Sequence, residues 1–107
     1  MVDPGTPEPE LSIVAPVFNE LDNLAPLVSE IREALRPSKL RIEILLVDDG
    51  STDGSTERIA ALAGTGGVVR GLHFKSNRGQ TAALDAGFKA ARGRWAVSYT
   101  HLTLPTN

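Results

Sequence analysis

The stretch RIEILLVDDGSTDG, residues 41–54, decides how this chain folds. Its first half, 41–47, is a short, largely apolar run, which is typical of a strand buried on both faces of a parallel sheet. Its second half, 48–54, consists of turn-forming residues. The pattern predicts that Asp48 and Asp49 lie at the carboxyl end of a buried strand, the edge at which parallel sheets bind ligands.

The rest of the chain alternates short apolar runs with amphipathic segments. Further strands are predicted over 11–17, 68–74 and 95–99, and helices over 24–35, 55–63 and 80–91. This alternation is typical of a parallel α/β sheet with right-handed crossovers. We therefore predict a Rossmann-like α/β fold in which the loop after each strand lies on the same ligand-binding edge.

Length and composition exclude several classes of protein. The chain has 107 residues, enough for one domain, and a net charge of -2, so nothing favours a nucleic-acid partner. It has no cysteine, which excludes disulfides and thiolate sites and fits a cytoplasmic location. No apolar run approaches the ~20 residues of a transmembrane segment. Residues 1–10, rich in proline and acids, are predicted to be a disordered lead-in.

The loop after the first strand carries a candidate binding segment. Phe18 offers an aromatic face for a base or ribose, and Glu20 brings a carboxylate to the same edge. In the alternative interpretation Pro16 ends the strand, Phe18 is core, and Asn19 begins a helix cap. Taken alone, this segment favours the alternative.

The loop after the second strand carries adjacent carboxylates. Asp48 and Asp49 repel each other unless something compensates, and either could accept a hydrogen bond from a nucleobase N–H. In the alternative interpretation the loop is a capping turn, a role that we expect for Asp53. We expect one of the adjacent pair to contact a ligand.

The loop before the third helix combines Arg78 with a helix N-terminus, which is a ready site for a diphosphate. A plain helix start with a solvated Arg78 is the alternative. No G-x-G-x-x-G or G-x-x-x-x-G-K-[ST] motif is present. His73 and His101 lack partners at metal-ligand spacing, so we interpret His73 as strand packing.

Three segments in this order, 12–20, 44–54 and 77–87, resemble the family 2 inverting glycosyltransferases, which have a GT-A nucleotide-diphospho-sugar fold. The third segment is most similar to the dolichyl- or undecaprenyl-phosphate sugar transferases. The resemblance covers about 11–98 and implies that these residues form the nucleotide-sugar-binding half of such a domain. In the family, Asp49 would bond the base and Asp48 would support its loop. The implied substrate-binding residues are Pro16, Phe18, Glu20, Val47, Asp48, Asp49, Arg78 and Gln80.

The resemblance also implies a reaction, namely transfer of a sugar with inversion from a UDP- or GDP-sugar, with a polyprenyl phosphate as acceptor. Family members hold Mg²⁺ or Mn²⁺ with an Asp-x-Asp motif after the fourth strand, whereas no carboxylate follows Asp85 here. We therefore assign no catalytic residue and no metal ligand, and expect the chain itself to be inactive. Residues 99–107 are predicted to be a non-native tail, and the longer protein to lie at the cytoplasmic face of a membrane. The alternatives are a non-catalytic nucleotide-binding module and a non-functional fragment.

Overall fold

A computed structural model describes residues 8–64 and 67–99 as one α/β unit. The strands are β1 (Leu11–Val17), β2 (Ile42–Asp48), β3 (Val69–His73) and β4 (Trp95–Ser98). The helices that connect them are α1 (Leu24–Leu35), α2 (Ser55–Ala63) and α3 (Gln80–Ala90). The sheet has the order β3-β2-β1-β4, and each neighbouring pair is parallel. The predicted α/β architecture is confirmed.

The predicted element boundaries differ little from the observed ones. The second strand was expected over 41–47 and spans Ile42–Asp48, and the third helix was expected over 80–91 and spans Gln80–Ala90. The strand includes Asp48 because this residue pairs in register with Val17 on one side and His73 on the other. The first carboxylate of the polar loop is therefore still part of the sheet.

The two central strands bury side chains on both faces of the sheet. On one face Val14 and Leu45 pack with Ala83 of α3. On the other face, β1 and β2 pack against α1 and α2 through a larger cluster that includes Ile13, Ile44, Leu46, Leu24, Leu27 and Ile59. This double burial explains the nearly continuous apolar run in the sequence of β2.

A glycine sets how closely α3 approaches the sheet. A Cβ on Gly87 would lie 2.2 Å from Cγ1 of Val14 and 3.1 Å from Cγ2 of Val47. Only a residue without a side chain fits that contact. The start of α3 lies at the carboxyl edge of the sheet, where the candidate site lies, because the helix follows the end of β3 after a short loop.

The outer strand β4 pairs with β1 and leaves Trp95 and Val97 exposed. The predicted lead-in (1–10) and tail (99–107) fall mostly on residues outside the described ranges. Within those ranges, the backbone N–H of Glu10 donates to the carbonyl of Arg41 at 2.6 Å, and that of Tyr99 donates to the carbonyl of Val14 at 2.8 Å. Among the described residues, no helix has both the length and the apolar character needed to cross a bilayer.

Candidate functional site

Three loops meet at the carboxyl edge of the sheet: loop A (18–23), loop B (49–54) and loop C (74–79). Asn19 joins loops A and B, because its N–H donates to Oγ of Ser51 at 2.8 Å and its Oδ1 accepts the N–H of Thr52 at 2.8 Å. It adopts a left-handed φ of 52°, which asparagine tolerates better than most residues. The N–H of Leu21 also donates to Oδ2 of Asp53, at 3.1 Å. Loops A and B therefore form one hydrogen-bonded layer.

Asp53 lies at the start of α2, as the capping interpretation predicted. Its Oδ1 accepts the backbone N–H of Ser55 at 3.0 Å and the hydroxyl of the same residue at 2.6 Å. The hydrogen bond from the Ser55 side chain is the main reason why the pKa of Asp53 lies below its ordinary value. Asp53 thus accepts the N–H of the first residue of α2 and at the same time holds loop A, whereas the N-cap position itself is Gly54.

Asp48 lies beneath loop B with its side chain buried. Its Oδ1 accepts the N–H of Ser51 at 2.9 Å, and its Oδ2 contacts the hydroxyl of Thr56 and, at 2.8 Å, Nδ1 of His73. Burial raises the pKa of Asp48, but the hydrogen bonds from Thr56, Ser51 and His73 outweigh it and hold the pKa below the ordinary value of 3.8. The carboxylate is therefore ionised at neutral pH. The interpretation of His73 as strand packing was wrong, because its half-exposed side chain binds this carboxylate.

Asp49 turns the other way and holds loop C. Its Oδ1 accepts the backbone N–H of Arg78 at 2.6 Å, and its Oδ2 accepts that of Gly79 and the side-chain amide of Asn77, both at 3.0 Å. The two backbone amides that precede α3 are thus occupied by a carboxylate of the protein itself. They do not form the open diphosphate site that the sequence suggested at this position.

Loops B and C approach each other so closely that loop B requires a glycine at the point of contact. Gly50 has a φ of +78°, and a Cβ there would lie 2.5 Å from the backbone N of Asn77. Any side chain would therefore both strain the backbone and displace loop C.

A cleft of about 270 Å³ opens between loops A and C. Its walls are formed by Pro16, Val17, Phe18, Glu20, Asp49, Asn77, Gly79 and Gln80. Five of the eight residues predicted from the sequence are among them: Pro16, Phe18, Glu20, Asp49 and Gln80. Phe18 is 46% exposed and lines the cleft, so its side chain is accessible to solvent there. Asn77 is a wall residue that sequence reasoning missed, although it directly precedes Arg78 in the third matching segment.

The other three predicted residues do not line the cleft. The side chain of Val47 is fully buried against α3, and Asp48 lies under loop B. The guanidinium of Arg78 lies over the ring of Phe74, 5.1 Å from its centre, in a cation–π contact. Within residues 8–64 and 67–99, no group of three or more His, Asp or Glu side chains is arranged to hold a metal ion. Asp48 and Asp49 instead accept hydrogen bonds from donors of the protein.

Comparison with known proteins agrees with this geometry. Residues 12–99 match the family model described as glycosyl transferase family 2. Since the match covers most of the chain and all three loops of the site, the chain belongs to glycosyl transferase family 2.

Two curated relatives indicate which branch of the family is similar. The chain is 42% identical over 95 residues to a dodecaprenyl-phosphate galacturonate synthase from Rhizobium johnstonii, covering 84% of this chain and 28% of that protein. It is 39% identical over 90 residues to a dolichol-phosphate mannosyltransferase from Mycosarcoma maydis, covering 80% of this chain and 31% of that protein. The chain thus spans less than a third of the length of either relative.

Solved structures confirm the GT-A type of fold. The mannosyltransferase PcManGT from Pyrobaculum calidifontis, in complex with GDP-Man and Mn²⁺, is similar with a TM-score of 0.67 and 25% identity, over 80% of this chain and 25% of that one. A structure of S. aureus TarS is similar with a TM-score of 0.69 and 19% identity, over 85% of this chain and 27% of that one.

Proposed function

We propose that the cleft binds the nucleotide of a nucleotide-diphospho-sugar, and that the longer protein transfers the sugar with inversion. The observation that carries this proposal is that predicted residues from three distant segments line one cleft at the carboxyl edge of the sheet. A crevice at that edge is where open α/β sheets bind their ligands.

The walls of the cleft offer the groups that a nucleotide needs. The ring of Phe18 provides a face on which a base or ribose can rest. A carboxylate has on the order of four lone-pair sites. Loop C supplies three donors to Asp49, so one site remains for a base N–H. Glu20 lies on the same wall and would accept hydrogen bonds from the ribose hydroxyls.

The diphosphate would lie toward the start of α3 and contact side chains there, because Asp49 occupies the backbone amides of Arg78 and Gly79. Gln80 is the first residue of that helix and lines the cleft. Arg78 stands between two wall residues, Asn77 and Gly79, and would reach the phosphates by leaving the ring of Phe74. This contact would place a planar cation opposite two anionic groups, which is the pairing that guanidinium groups favour.

The metal and the acceptor are proposed from similarity. The structure of PcManGT is a complex with GDP-Man and Mn²⁺. The names of the two curated relatives specify polyprenyl phosphates. By analogy, the longer protein would use Mg²⁺ or Mn²⁺ to neutralise the departing diphosphate and would glycosylate a polyprenyl phosphate. The described residues contain no group for that metal, so we assign it no ligand here. A cytoplasmic location, with the longer protein at the membrane face, stays a prediction.

A binding experiment with a matched control tests the proposal. The 107-residue chain is titrated calorimetrically with GDP and with UDP, with and without Mn²⁺, after circular dichroism has established folding. Phe18→Ala should weaken binding roughly tenfold or more, because base–aromatic stacking is lost. Phe88→Ala is the control, since Phe88 is 42% exposed but lies on α3 outside the cleft. A folded chain that binds neither nucleotide, or equal losses in both variants, would contradict the proposal.

A further inference from the structure

His73 lies outside the cleft, yet it touches the residue on which loop B depends. It is the last residue of β3 and pairs in register with Asp48, the last residue of β2. Its Nδ1 is 2.8 Å from Oδ2 of Asp48, whose side chain is 1% exposed while that of His73 is 50% exposed. Because Asp48 is ionised and can only accept, Nδ1 carries the proton and donates it.

From this contact, hydrogen bonds continue to the wall of the cleft. The other oxygen of Asp48, Oδ1, accepts the N–H of Ser51 at 2.9 Å. The hydroxyl oxygen of Ser51 accepts the N–H of Asn19 at 2.8 Å. Asn19 stands between Phe18 and Glu20, which both line the cleft. Three successive hydrogen bonds thus link the exposed imidazole to the wall of loop A.

We propose that His73 is a positioning residue for nucleotide binding, acting through Asp48 and Ser51 on the cleft residues of loop A. The inference rests on the proposed function, because it concerns the same cleft. The imidazole and the hydroxyl of Thr56 together fix the orientation of the Asp48 carboxylate, and this carboxylate fixes Ser51. Hydrogen bonds to charged groups are among the stronger ones in proteins, so losing the first link should loosen those that follow.

The test compares two substitutions of His73, one that keeps a hydrogen-bond donor and one that removes it. Asn carries its Nδ2 on Cγ, as His carries Nδ1, so His73→Asn keeps a donor at nearly the same place. His73→Leu removes it. Ser12→Ala is the matched control, because the Ser12 hydroxyl also donates to a buried carboxylate, that of Glu43, far from the cleft.

With GDP and UDP as probes, we expect His73→Leu to weaken binding by the 107-residue chain roughly tenfold. We expect His73→Asn and Ser12→Ala to stay within about twofold of the unmodified chain. The tenfold loss expected for His73→Leu is close to the upper limit of what a single hydrogen bond contributes. Failure of the Asn variant to restore binding would overturn the proposal. So would an equal loss in Ser12→Ala, because the effect would then be one of general stability.

Amide hydrogen exchange without nucleotide separates this proposal from the proposed function. His73→Leu, or His73→Ala if the Leu variant does not fold, should speed exchange at the amides of Ser51 and Asn19. The amides of Arg92 and Gly93, which donate to Glu43 and Ser12, should be unchanged. Unchanged exchange at Ser51 and Asn19 overturns the positioning role whether or not the chain binds nucleotide. If exchange is faster but the chain binds no nucleotide, the hydrogen-bonded link is supported and only the proposed nucleotide binding is contradicted.

Discussion

Glu43 and Asp49 are buried carboxylates near opposite ends of β2, and both accept backbone N–H groups from a loop next to α3. Glu43 accepts the N–H of Arg92 at 2.6 Å, just beyond the end of α3, together with the hydroxyl of Ser12 and the guanidinium of Arg70. Asp49 accepts its donors from loop C, just before α3 begins. One carboxylate therefore fastens each end of the same helix to the sheet.

The partners of the two carboxylates differ, and so do the roles that follow. Two of the partners of Glu43, Ser12 and Arg70, lie on strands of the sheet. Arg70 is a cation, so the charge of Glu43 is compensated within the protein. The partners of Asp49 are neutral amides of a loop that lines the cleft, and Asp49 lines it as well. The same acceptor chemistry holds the fold together at one edge and shapes the proposed binding cleft at the other.

The largest effect should come from breaking the network of Glu43. Glu43→Ala leaves the buried hydroxyl of Ser12 and the N–H of Arg92 without their acceptor and removes the ion-pair partner of Arg70, so it should cost about 3–5 kcal/mol in the free energy of unfolding. Urea denaturation measures the loss. Glu33→Ala is the control, because Glu33 is an exposed carboxylate whose pair with Arg36 should contribute under about 1 kcal/mol. If Glu43→Ala lost as little stability as the control, Glu43 would not hold the fold together, and the contrast with Asp49 would be wrong.

An effect of similar or slightly smaller size is expected where loop B approaches loop C. Gly50→Ala should cost about 1–2 kcal/mol for its left-handed backbone and roughly 1–3 kcal/mol more for the contact with Asn77. Gly54→Ala provides the comparison, because Gly54 has a φ of +98° but only an ordinary contact with Leu21. Thermal unfolding should therefore show a clearly lower Tm for the first variant. Equal losses would mean that loop C moves aside without cost.

The smallest effect should appear on acidification. Burial raises the pKa of Glu43, but hydrogen bonds from Ser12, Arg92 and Arg70 outweigh it and hold the pKa below the ordinary value of 4.5. A carboxylate whose pKa is lowered by folding adds stability above its unfolded pKa and loses it as the pH falls through the folded value. Below roughly pH 4.5, the stability of the unmodified chain should therefore fall more steeply than that of Glu43→Gln. Parallel urea midpoints from pH 7 to about pH 3 would contradict this assignment.

Much of the fold follows from the alternation of apolar runs and amphipathic segments, because buried parallel strands need apolar side chains on both faces. The gathering of Phe18, Glu20 and Asp49 at one edge was predictable for a related reason. Parallel strands with right-handed crossovers place the loops that follow them on the same side. The resemblance then selected these residues from a larger set of polar loop residues.

The contacts that hold the site depend on register and loop geometry, which the sequence does not reveal. His73 meets Asp48 only because the two residues pair across β2 and β3. Which neighbouring aspartate faces loop C depends on the turn at Gly50. Glu43, an acid inside an apolar strand, was a visible sign of a buried partner, but Ser12 and Arg70 could not be named without the sheet order.

The strand order also has a kinetic consequence. Leu11 of β1 pairs with Trp95 of β4 across most of the length of the chain, whereas β1, β2 and β3 join through much shorter connections. The entropic cost of closing a loop rises with its length, by about 0.6 kcal/mol for each doubling, so the β1–β4 pair is the costliest one to form first from an unfolded chain. All three loops around the cleft follow β1, β2 and β3. During folding, the walls of the cleft can therefore assemble before β4 completes the described sheet.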